Sequence, residues 1–195
     1  MPNPIPRRRD AAVTRDAILL SARKVFARSG YDAATVHDIA VGAGLTTALV
    51  DRYFSSKEQL FADVVADTLA RPLIPAGGHL RADNLGRTLA TALVSISDDS
   101  SASLEGWLLL LHSASSPRAA AIGRAQLENS QQPSMAATLK GAHAQERAAL
   151  AMALVAGFQV MRQQLALSAL VKADPQVLID LLTPLFQQLV DAPST

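Results

Sequence analysis

Residues 35–57 read TVHDIAVGAGLTTALVDRYFSSK, and this stretch decides the fold. Thr35 is placed to cap a helix by accepting a backbone N–H, and Asp38 lies near the positive end of that helix's dipole. Val36, Ile39 and Ala40 recur at helical spacing and leave one face apolar. Gly42 and Gly44 supply a sharp turn, and Thr46 caps a second helix expected from Thr47 to Phe54. Helix, glycine turn, helix is the layout that sets a recognition helix into the major groove of DNA.

Working outward, a first helix is expected from about Val13 to Ser29, with Ile18, Leu19, Ala22, Val25 and Phe26 on one face. Gly30 ends it where a left-handed residue is wanted. Ser56 opens the helix after the motif, with Gln59 completing a capping box and Leu60, Phe61, Val64, Val65 and Leu69 forming its apolar face. Pro72, Pro75, Gly77 and Gly78 break that helix and mark a hinge. The division is therefore a domain over residues 11–71, carrying the motif at about 34–53, and a second domain over 72–195.

The second domain reads as helices throughout: Leu85–Ile96, Ala102–Ser113 around Trp107, and Pro117 to about Glu128. After an interruption at Gln131-Gln132-Pro133, one long helix is expected from Ala144 to Val171 and a last one from Pro175 to Val190, kinked at Pro184. No strand pattern or internal repeat stands out, so the fold class is all-α. Its parts are an N-terminal three-helix helix-turn-helix domain and a larger helical domain.

Composition agrees. Apolar residues make up 49% of the 195 but aromatics only 4%, with alanine and leucine dominant, as packed helices require. Absence of cysteine excludes disulfides and thiolate metal sites and suits a reducing, cytoplasmic setting. No apolar run approaches the ~20 residues of a membrane span, and Arg7, Arg8 and Arg9 precede no signal-peptide core. A net charge of +1 conceals an asymmetry: nine Lys/Arg against six Asp/Glu in residues 1–60 give +3, and nine against eleven in the remainder give −2. The basic end carries the motif, as an electrostatic footprint on DNA would require.

Residues of about 11 to 60 resemble the DNA-binding domain of the TetR family. Its members have an amphipathic helix of the type TRDAILLSARKVFARSGYDAATVHDIA, then a glycine turn, then a helix ending in aromatic-Phe, here Tyr53-Phe54. A Ser-Lys-Glu helix start follows, here Ser56-Lys57-Glu58. Order and spacing match over some fifty residues without a gap. The remainder, with its RPL…W-LLL…GF pattern, is similar to a TetR subgroup with an all-helical C-terminal domain.

Thr46, Thr47 and Ala48, with Asp51 one turn on, occupy the positions that the resemblance assigns to reading base edges. Threonine and alanine offer methyl contact to thymine, a hydroxyl bonds either way, and Asp51 can accept from cytosine N4. The family usually carries an aromatic at the position of Asp51, so an acid there either reads a base or points away from the phosphates. Tyr53, Lys57 and Thr35 match phosphate-contact positions, which fix register rather than sequence. His37 is either a further phosphate neighbour or a solvated histidine. Arg7 to Arg9 form either a minor-groove arm or a plain charged tail.

One helix-turn-helix makes too few contacts for tight binding, so a homodimer on a palindromic duplex site is expected. Leu150, Leu154, Phe158, Leu165, Leu181, Leu182, Leu185 and Leu189 are more apolar surface than two isolated helices can hide, and the resemblance implies a four-helix bundle across a two-fold axis. The resemblance also implies a pocket for a small, largely apolar effector, with Trp107, His112, Met135, Phe158, Met161 and Arg162 as candidate lining. The expected role is a repressor released from its operator by that effector. An enzyme is not expected: there is no phosphate loop, HExxH or nucleophile elbow, and His37, His79, His112 and His143 form no ligand pattern, so neither metal nor cofactor is called for. The alternative is a ligand-binding or adaptor protein of the same fold with weak or no DNA recognition.

Overall fold

The structure is a computed structural model describing residues 6–69, 84–98 and 109–191. Every regular element among them is helical: α1 (Pro6–Ala33), α2 (Val36–Ala43), α3 (Thr47–Tyr53), α4 (Lys57–Leu69) and α5 (Leu85–Asp98). Residues 109–113 are helical and lead to α6 (Pro117–Gln126), followed by α7 (Gln132–Ala136), α8 (Ala144–Gln159), α9 (Ser168–Val171) and α10 (Pro175–Val190). No described helix is long and apolar enough to cross a membrane. The expected hinge at Pro72–Gly78, and Trp107, lie outside the described residues.

The chain packs as two units. The first comprises residues up to Thr68 together with Leu108–Arg124, a return of the chain that a single cut at 71/72 does not contain. Its core is the face read from the sequence: Ile18, Leu19, Ala22, Val25 and Phe26 of α1 meet Ile39, Val50, Leu60, Phe61, Val64 and Val65, all buried. Phe61 lies edge-on to both Phe26 and Tyr31, with ring centres 5.0 Å apart in each pair, a preferred aromatic geometry. The returning segment is held by short polar ties. Ser116 Oγ donates to Asp32 Oδ1 at 3.0 Å, Arg118 pairs with Glu58 at 2.7 Å, and His112 Nδ1 donates to the Ala27 carbonyl at 2.5 Å. Gly30 is not an ordinary helix end. With φ 71° and ψ 174° it breaks α1, one more turn follows it, and a Cβ there would lie 2.6 Å from the His112 carbonyl oxygen. The helix also starts earlier than expected, its backbone already helical from Pro6 through Arg9.

In the second unit α5 lies against α10, with Leu85, Leu89, Leu93 and Val94 sharing a core with Leu178, Leu182, Phe186 and residues of α8. Arg147 is buried and donates to the carbonyls of Leu189, Val190 and Asp191 at 2.9–3.2 Å and of Ala142 at 3.1 Å. It thereby ties the start of α8 to the negative end of α10. Two expectations fail here for one reason, local winding with i→i+5 hydrogen bonds. Gln131-Gln132-Pro133 does not interrupt the chain, because a π-turn at Leu127–Gln131 carries α6 into α7. The long helix to Val171 does not exist: α8 gives way to a π-turn at Val160–Gln164, and Ala166 turns left-handed at φ 49° before α9. Pro184 sits exposed within α10, which runs through it from Pro175 to Val190.

Candidate nucleic-acid interface

Local hydrogen bonds set the geometry of α2 and α3. Thr35, extended at φ −113°, accepts the Asp38 N–H at 3.1 Å and donates its own proton to Asp38 Oδ2 at 2.6 Å. Gly44 closes α2 at φ 68°, ψ 31°, and Leu45 N–H reaches back to the Ala40 carbonyl at 2.9 Å, the hydrogen bond of a Schellman cap. Thr46 then accepts the Leu49 N–H at 3.3 Å and starts α3. Gly42 is not part of the turn. It is helical, and a Cβ on it would fall 2.4 Å from Ser21 Oγ, which donates to the Ile39 carbonyl at 2.8 Å. Its role is to let α1 and α2 close on each other.

This arrangement sorts the residues of α3. Val50 is 1% exposed and Leu49 half-buried, whereas Thr46, Thr47, Ala48, Asp51 and Arg52 are exposed. The candidate base readers therefore share one outward face. Tyr53 is half-buried and lines a shallow groove with Arg52, Asp10, Ala11 and Thr14. His37 is exposed on α2.

Thr35 and Lys57 are placed differently from the outward set. The Thr35 hydroxyl already has its proton on Asp38, so it can meet a phosphate only by giving up that bond. Lys57 Nζ reaches the carbonyls of Tyr31 at 2.9 Å, Ala34 at 3.1 Å and Asp32 at 3.4 Å, and stands 4.4 Å from the centre of the Tyr31 ring. Next to it, burial followed by the charge of Glu58 pushes the Tyr31 phenol above its ordinary value. A bond from its own backbone N–H holds the Glu58 carboxyl below the usual carboxylate range, helped by Ser56, Arg118 and Tyr31.

Arg52 is the residue that the sequence reading passed over. Its spacing carries the signal, since positions 47, 48, 51 and 52 fall on one side of a helix whose other side holds 49 and 50. The candidate effector residues are divided between the two units. His112 belongs to the first unit and is bonded to Ala27; in the second, Phe158 and Arg162 are buried, with the guanidinium 5.9 Å from the ring and donating to the Val94 carbonyl at 3.2 Å. Met135 is buried, but Met161 is 43% exposed and points to the surface.

Two family profiles match the chain. One, described as bacterial regulatory proteins of the tetR family, matches residues 18–64. The other, described as the tetracyclin repressor-like C-terminal domain, matches residues 83–190, more than half of the chain. The chain belongs to the TetR family. It is 41% identical over 58 residues to the HTH-type transcriptional repressor KstR2 of Mycolicibacterium smegmatis, and 38% identical over 56 residues to the repressor BepR of Brucella suis. Those stretches are 30% and 29% of this chain and only 28% and 27% of the two relatives. Among solved structures, a TetR-family regulator of Streptomyces coelicolor is similar at 26% identity and TM-score 0.59, over 92% of this chain and 95% of that one. Salmonella enterica GusR shares the fold at TM-score 0.68 and 16% identity, over 97% and 98% of the two chains.

Proposed function

We propose that this TetR-family protein is a transcriptional repressor that binds a palindromic duplex as a homodimer and is released by a small, largely apolar effector. The observation that carries the reading is the outward face of α3, where Thr47, Ala48, Asp51 and Arg52 are exposed while Val50 anchors the helix beneath them. The two partly matching curated relatives, both named repressors, support the sign of the regulation. Dimerisation is supported by apolar side chains left uncovered on α10 (Val177, Leu181 and Leu185), on α8 (Leu150) and in the π-turn segment that follows it (Met161 and Leu165), each at least 43% exposed. Phe158 and Leu182 belong instead to the protomer's own core. Gly157, with no neighbour within 4 Å of a notional Cβ, offers a partner helix a close approach.

Selection of bound sites from a random duplex pool tests the reading: a two-fold symmetric consensus supports binding and dimerisation together, and no enrichment sinks both. On the selected site, Thr47→Ala should cost about 1–3 kcal/mol and much less on random DNA. Equal losses on both would remove Thr47 from the base readers.

A further inference from the structure

Two cations flank the end of the recognition helix, and the protein uses them in opposite ways. Lys57 has three donors and no acceptor, and all three are directed inward at the carbonyls of Tyr31, Asp32 and Ala34, which the end of α1 leaves without helical partners. The Tyr31 ring covers the ammonium from a further side. Arg52 is the reverse case: it is exposed, and among the described residues no ion pair or hydrogen bond holds its guanidinium. Three other cations of the same unit are engaged, Arg15 with Asp63, Arg23 with Asp67 and Arg118 with Glu58. Arg52 also shares a groove with Tyr53, opposite Asp10, Ala11 and Thr14 at the start of α1.

Resting on the DNA-binding reading above, we propose that Arg52, and not Lys57, holds the DNA backbone at each half-site, while Lys57 is a positioning residue that fixes α4 against the end of α1. Residues near the start of a recognition helix meet base edges first, and Arg52 stands in the last turn of α3, where the backbone passes. Its planar fork matches two phosphate oxygens at once, and Tyr53 offers a hydroxyl beside it. Asp10 lines the same groove, so a phosphate there would be held by Arg52 and Tyr53 against the repulsion of the Asp10 carboxylate.

The test is titration of the full chain against a mixed-sequence duplex over a series of salt concentrations, because backbone contacts need no operator. Arg52→Ala should lower the slope of log K against log salt by about 0.9 per protomer bound, and Arg52→Lys should keep it. Lys57→Arg retains the charge but cannot seat a compact ammonium among three carbonyls; it should lower the melting temperature and leave the slope unchanged. An unchanged slope for Arg52→Ala overturns the assignment, as does a changed sequence preference, which would make Arg52 a base reader. Normal melting of Lys57→Arg together with a reduced slope for Lys57→Met overturns the positioning role. Failure of the wild-type protein to bind any duplex at low salt defeats the DNA-binding reading itself, whereas binding with an unaltered slope defeats the Arg52 assignment alone.

Discussion

The turn after α2 and the break after α8 solve the same problem with different residues. Each ends a helix with one left-handed residue and closes with a backbone hydrogen bond: Leu45 N–H to the Ala40 carbonyl at 2.9 Å, and Leu167 N–H to the Met161 carbonyl at 3.1 Å. The first uses Gly44 at φ 68°, which is relaxed there; the second uses Ala166 at φ 49°, which is strained. Around Ala166 the ring is also one residue wider, because the π-turn at Val160–Gln164 precedes it. A break made of glycine and flanking threonine caps can be seen in a sequence. A break made of alanine between leucines cannot.

The largest effect should come at a third left-handed position, where both kinds of cause meet. Gly30 has a backbone conformation open essentially to glycine alone, and a Cβ would press on the His112 carbonyl. Gly30→Ala should therefore cost about 3 kcal/mol, the upper end for a strained residue, in a denaturant titration. A cost near that of Gly44→Ala would show that the segment returning at His112 yields easily. Gly44→Ala meets nothing within 4 Å, so its cost is purely that of the left-handed backbone, about 1–2 kcal/mol. No loss there would remove the premise that glycine is what makes this turn.

Ala166→Gly is the reverse experiment. It relieves about 1–2 kcal/mol of left-handed strain and returns part of that as unfolded-chain entropy. A small rise in stability, below about 1 kcal/mol, is expected. A fall would mean that the Ala166 methyl group contributes packing that outweighs the strain.

The smallest effect concerns pH. Because the folded protein holds Glu58 below the usual carboxylate range, its contribution is present above the ordinary value and is lost as pH falls through the lowered one. Tyr31 has the opposite shift for an acid, so stability falls as pH rises past the ordinary phenol value of 10.0. Thermal melts of Glu58→Gln across the acid range should show a shallower decline than wild type, and parallel curves would remove Glu58 from the linkage.

The sequence by itself determined the helical class, the buried faces of α1 and α4, both threonine caps and the left-handed Gly44. All of these depend on residues within one or two turns of each other, so spacing encodes them directly. It also contained the outward face of α3, although Arg52 becomes conspicuous only when it is seen exposed while Lys57 is bonded inward. Only the tertiary structure decided which glycine turns and which one packs, since Gly42 answers to Ser21, twenty-one residues away in the chain. It likewise brought Leu109 and Ala119 into the first unit's core and assigned His112 to that unit, with Phe158 and Arg162 in the other. Lys57 and Arg52 illustrate the same limit. In the sequence they are two basic residues five positions apart, and what separates them is where α1 ends: three unpaired carbonyls at 31, 32 and 34 capture one cation and leave the other in solvent.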